Sequence, residues 1–150
     1  MSAELKHKDL SERIIKAYYY VYNRLGYGFL ENVYEKSMVI ALPMFGVHGR
    51  RQVPIRVYFE EQNVGLYFAD IVAEELIILE LKAAESLCVE HEVQLTNYLR
   101  ATDIEVGFLF NFGAKPEFRR KVFENKYKEH VREKDPFVSV QSVQSANPSK

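Results

Sequence analysis

"YFADIVAEELIILELKA", residues 67–83, reads as two strands folded back on each other. Phe68, Ile71, Leu76, Ile77, Ile78, Leu79 and Leu81 suit a buried sheet, and the second of these strands is apolar on both faces, as a central strand covered from both sides would be. Yet Asp70, Glu80 and Lys82 are set into the hairpin. Burying a carboxylate without a partner is costly, so two carboxylates and an ammonium placed together need a reason. Glu80 and Lys82, two positions apart, share one face of their strand. Whether Asp70 joins them depends on register. A plain two-residue loop on Glu74-Glu75 would set Asp70 opposite Leu79, on the far side of the sheet from Glu80. A three-residue loop or a bulge would set Asp70 opposite Glu80, and bulges are common beside active sites because they re-aim a side chain.

Working outward, residues 11–25 place Ile14, Ala17, Tyr18, Val21, Tyr22 and Leu25 at helical spacing, with Ser11 as a cap and Gly26 as a stop. The run Tyr18–Tyr20 could stack on bases, but consecutive residues point around a helix, which favours core and rim packing. A second helix is expected over 29–44, with Glu31 in its first turn. Strands follow at 53–60, 64–73 and 76–83, with turns near Gln62-Asn63 and Glu74-Glu75. A helix over 86–101 and a buried strand over 105–112 imply a right-handed parallel crossover. Residues 117–123 read as an edge strand and 124–135 as a short polar helix. The order is α-α-β-β-β-α-β-β, a mixed α/β arrangement (α+β) of one sheet flanked by helices. Residues 1–135 form one expected domain, and 136–150 read as a disordered polar tail.

The chain has 150 residues, 47 % hydrophobic and 27 % charged, and a net charge of −1. That length buries about 70 % of the unfolded surface. No apolar run approaches the length of a membrane span, so no membrane association is expected. The start of the chain has no apolar leader, and the lone Cys88 cannot form an internal disulfide; both fit a cytoplasmic location. Charge is unevenly spread. Residues 60–105 carry eleven acidic residues against Lys82 and Arg100, while 115–134 carry eight basic against four acidic. A cation site beside a phosphate-facing patch would produce that pattern, and so would two solvated faces.

Two readings of the charged hairpin stay open on residue chemistry alone. One is a structural ion pair near the sheet edge. The other is a site for a hard divalent cation, because Mg²⁺ needs only one or two carboxylates when substrate phosphate and waters complete its shell. Lys82 would then stand beside the attacking water and the scissile phosphate. His91-Glu92-Val93-Gln94-Leu95 begins like the H-E-x-x-H zinc motif, but Leu95 occupies the place of the second histidine, so that motif is absent.

Asp70 followed by Glu80-Leu81-Lys82, on consecutive strands and ahead of a helix, resembles the PD-(D/E)XK nuclease superfamily, although Ala69 stands where a proline is usual. Gly28-Phe29-Leu30-Glu31-Asn32-Val33-Tyr34 resembles the naming motif of the bacterial GxxExxY family. Residues 51–55, 80–83, 91–99 and 107–113 look like its other blocks, in order. The resemblance spans about 10–124. It implies a restriction-endonuclease-like three-layer core and a Mg²⁺- or Mn²⁺-dependent nuclease acting on DNA, with RNA as the alternative. Asp70, Glu80 and the Leu81 carbonyl would hold the metal, and Lys82 would orient water or offset charge. Glu31 would be an accessory acid, while Gln94 and Tyr98, four apart on one helix face, would support the site and contact substrate. Arg119, Arg120 and Lys121 are candidate phosphate contacts. So small a chain has little room for a target-recognition domain, so a homodimer or a protein partner is expected. The rival reading is a non-catalytic nucleic-acid-binding or assembly module that keeps the fold.

Overall fold

A computed structural model describes residues 6–128. The apolar stripe of the first segment becomes the buried face of α1 (Lys8–Leu25), where Ile14, Ala17, Tyr18 and Val21 are fully or nearly fully buried. The helix starts three residues before the expected cap, so Ser11 is a buried residue inside it. Helix α2 (Glu31–Ala41) begins at Glu31 rather than 29, because Gly28 (φ 112°) and the extended Leu30 hold the chain outside helical space. Its last turn tightens into a 3₁₀ segment, Leu42–Phe45, where Pro43 is tolerated at the start.

Strands β1 (Gly49–Phe59), β2 (Gln62–Ala73) and β3 (Ile77–Lys82) follow. Helix α3 (Val89–Arg100) leads to β4 (Val106–Phe112) and β5 (Pro116–Val122). The first hairpin turns on Glu60-Glu61, both at positive φ, two residues earlier than the expected Gln62-Asn63 turn. Cys88, not Ser86, caps α3, and its backbone N–H donates to His91 Nδ1 at 3.2 Å. Of the polar helix expected at 124–135, the described part is a 3₁₀ turn, Asn125–Tyr127. Its remainder and the 136–150 tail lie outside the described residues.

The described residues form a five-stranded mixed sheet in the order β1-β2-β3-β4-β5, antiparallel except for the β3–β4 pair. That parallel pair is the crossover that helix-then-strand predicts. Helices α1 and α2 cover one face through a core that includes Tyr18, Tyr34, Met38, Leu79, Phe108, Phe110 and Phe112. Helix α3 covers the other through Leu95, Tyr98 and Leu99 against Ile78 and Leu109. Strand β4 is buried along its whole length, as a central strand between two layers must be. Each large apolar side chain so enclosed contributes roughly 1.5–3 kcal/mol. The tyrosine run divides as its helical geometry requires: Tyr18 stacks on Phe110 at 4.5 Å, while Tyr19 is at the surface and Tyr20 lies under the Arg24 guanidinium. Among the described residues no helix is long and apolar enough to cross a membrane.

Candidate active site

The hairpin that joins β2 to β3 turns on three residues, Glu74, Glu75 and Leu76, with both glutamates at positive φ. The register therefore pairs Ile71 with Leu79, Val72 with Ile78 and Ala73 with Ile77. Continued by one step it sets Asp70 opposite Glu80, and there the ladder stops. Side chains take over from backbone at that point. Asp70 N–H donates to Glu80 Oε2 at 2.9 Å, and Leu81 N–H donates to Asp70 Oδ2 at 2.8 Å. Each carboxylate thus caps the other strand's unpaired amide where β2 and β3 part.

The β1–β2 ladder is interrupted at the same place. Its register runs through Arg51–Ile71 and Val53–Ala69, and the intervening Gln52–Asp70 pair is missing, with Gln52 at φ 54°. Both strands also change face there. Ile71 and Ala73 pack into the α1/α2 core, yet Ala69 packs with Ile55 on the α3 side. Likewise Arg51 reaches Glu35 of α2, whereas Val53 packs with the α3-side cluster. Alternate positions of a regular strand share a face, so the switch lies at Gln52 and Asp70. Asp70 therefore stands where both helical layers can reach it.

Around this pair, Lys82 Nζ donates to Gln94 Oε1 of α3 at 3.3 Å. The Oε2 of Glu31 accepts Ala83 N–H at 3.2 Å, at the end of β3. Glu80 is 3 % exposed. Burial pushes its carboxyl up to about 8, with the neighbouring Asp70 charge adding and Lys82 opposing. Burial likewise raises Asp70 to about 6; the Leu81 N–H and Lys82 oppose this, and Glu35 and Glu31 add to it. Tyr98, 7 % exposed, has its hydroxyl raised to about 12 by burial, with the charges of Glu80 and Asp70 adding. Asp70, Glu80, Lys82, Glu31, Gln94 and Tyr98 thus belong to one neighbourhood.

The basic triplet does not form one patch. Arg119 and Lys121 lie on the α3 face of β5, bonded to Glu92 at 3.5 and 2.6 Å, and Arg119 also pairs with Glu117 at 3.0 Å. Arg120 points to the α1 face, where it donates to the Lys6 carbonyl at 3.1 Å. Adjacent residues of a strand face opposite ways, so a run of three cannot all meet the same phosphate backbone.

Glu35 is a site residue that the sequence reading passed over. It is buried one turn after Glu31. Its Oε1 accepts from Arg51 Nε at 2.8 Å, and its Oε2 accepts from Gln52 Nε2 at 2.9 Å. The available signal was an acid embedded in the apolar stripe between Tyr34 and Met38. Nothing in local composition marks Gln52 as left-handed.

Among the described residues no group of three His, Cys, Asp or Glu side chains is gathered as a complete metal cage. The donor set that is gathered nonetheless suits a hard divalent cation. Two carboxylates stand together, Glu80 buried and Asp70 half-buried, both with raised proton affinity, and each has one oxygen committed to a backbone amide and a second one besides. A pair that resists carrying two negative charges unaided is stabilised by a cation, and Mg²⁺ accepts so few protein ligands.

Comparison with known proteins agrees with this geometry. A family model described as the PD-(D/E)XK nuclease superfamily matches residues 8–121, most of the chain. No curated protein and no solved structure gives a match.

Proposed function

We propose that this chain, which belongs to the PD-(D/E)XK nuclease superfamily, hydrolyses phosphodiester bonds of nucleic acid, DNA before RNA, with Mg²⁺ or Mn²⁺ as cofactor. The observation that carries the reading is the reciprocal clasp of Asp70 and Glu80 on two parting strands, beside Lys82. Asp70, Glu80 and the Leu81 carbonyl would hold the ion. When bound, it supplies positive charge to the scissile phosphate and its attacking water. Lys82, steadied by Gln94, orients that water and offsets charge that builds up in the transition state. Glu31 adds a carboxylate at the mouth of the site, and the Tyr98 ring, buried in the α3-side core, backs the acids rather than meeting substrate. Arg119 and Lys121, on the same face, are the phosphate contacts; Arg120 is not.

The narrower GxxExxY assignment belongs to the same proposal, because each motif residue has work to do in this fold. Gly28 adopts the positive φ of the loop, Glu31 reaches the end of β3, and the Tyr34 hydroxyl donates to Gly26 O and accepts from Phe29 N–H. The test is hydrolysis of single-stranded, duplex and branched DNA with Mg²⁺, Mn²⁺ or chelator, with Glu80→Gln as control. Metal-dependent cleavage lost in the variant supports the reading. Binding without cleavage under every condition would assign a binding module instead.

A further inference from the structure

Beside Glu31 lies an open cleft of about 760 Å³, lined by Tyr27, Phe29, Leu30, Glu31, Glu85 and Phe112. Tyr27 is 63 % and Leu30 78 % exposed, an unusual concentration of bare apolar surface on one short loop. The loop is nevertheless held in place. The Tyr34 hydroxyl ties Gly26 to Phe29, and the Tyr34 ring stacks on Phe112 at 4.1 Å. The opposite wall is equally fixed: the Asn111 amide bonds Ala84 through both N–H and C=O, at 2.9 Å each, and a Cβ on Gly113 would come within 2.4 Å of Ala84 O.

The cleft adjoins the site through Glu31, which lines it, accepts Ala83 N–H at the end of β3 and adds to the field on Asp70. Its charged side chains are both acidic, Glu31 and Glu85, which disfavours a phosphodiester backbone inside it. A nucleobase is neutral, carries a π face for Tyr27 and Phe29, and carries N–H donors for the acids, an exocyclic amine in adenine, cytosine and guanine and a ring imide in thymine and uracil. A base can enter only if it is unstacked and unpaired. We propose that this cleft seats an unpaired nucleobase next to the scissile phosphate, so that the substrate class is single-stranded nucleic acid or a frayed end rather than intact duplex. The proposal rests on the nuclease reading, which supplies the phosphate beside it.

The test is fluorescence anisotropy with labelled oligonucleotides and Mg²⁺, using Lys82→Met protein to suppress turnover. A single strand, the same strand with abasic sites, and a blunt duplex are compared. The intact strand is expected to bind about tenfold tighter or more than the abasic strand and the duplex. Tyr27→Ala with Phe29→Ala is expected to erase that ratio without lowering the melting temperature, because both side chains are exposed. Equal binding of intact and abasic strands, or a ratio untouched by the double variant, overturns the base cleft and leaves the nuclease reading standing. Failure to bind any nucleic acid overturns both.

Discussion

The clasp of Asp70 and Glu80 makes a definite prediction about stability against pH. In the unfolded chain Glu80 loses its proton near pH 4.5, and in the folded protein burial beside Asp70 delays that loss to about pH 8. The folded state therefore binds more protons across that window, and stability falls as pH rises through it. The stabilisation is complete below the unfolded value and is gone above the folded one. One proton retained across one pH unit is worth about 1.4 kcal/mol. Relaxation of the site around the new charge limits the total, so the expected loss is on the order of 2–3 kcal/mol, or about 5–10 °C of melting temperature for a domain of this size. The assay is thermal melting of metal-free protein from pH 5 to pH 8, with Glu80→Gln in parallel. The amide keeps an acceptor for Asp70 N–H but does not titrate, so the variant's profile should be flatter and its stability at pH 8 should exceed that of wild type. Millimolar Mg²⁺ should restore wild-type stability at pH 8 and do little for the variant. Identical pH profiles for the two proteins would refute the reasoning, because the titrating group would then lie elsewhere.

Further outcomes follow from neighbouring contacts. Lys82→Met should keep the Mg²⁺-induced thermal shift while lowering turnover by about 10²-fold or more, measured in single-turnover cleavage; loss of the shift with cleavage retained would contradict that role. Glu35→Ala should destabilise the fold by about 1 kcal/mol in denaturant melts, because it removes the buried acceptor that Arg51 and Gln52 share, and it should weaken the Mg²⁺ response by loosening the strand opposite Asp70. Gly113→Ala drives a Cβ into the Ala84 carbonyl and should cost about 1–3 kcal/mol, read from the same melts, with the wall of the cleft displaced.

Much of the architecture is written in local pattern. The apolar spacing of 14–21 specifies the face α1 buries, and the doubly apolar run in β3 specifies a central strand, because helical and strand periodicities are properties of neighbours in sequence. Asp70 with Glu80-Leu81-Lys82 likewise carries the resemblance to the superfamily whose model matches residues 8–121. Other features depend on partners far away in the chain. Whether Asp70 meets Glu80 turned on one residue of hairpin register, which two glutamates at positive φ decide and which no alternation pattern reveals. The left-handed Gln52 is held by Glu35, seventeen positions earlier, so the face switch at Asp70 is visible only once α2 is docked on the sheet. The basic run 119–121 looks continuous as letters, but a pleated strand sends its members to opposite faces. Sequence alone determined which charged residues are set into apolar strands and helices; tertiary structure decided which of them meet, because convergence depends on pairing and docking between segments that the chain brings together only when it folds.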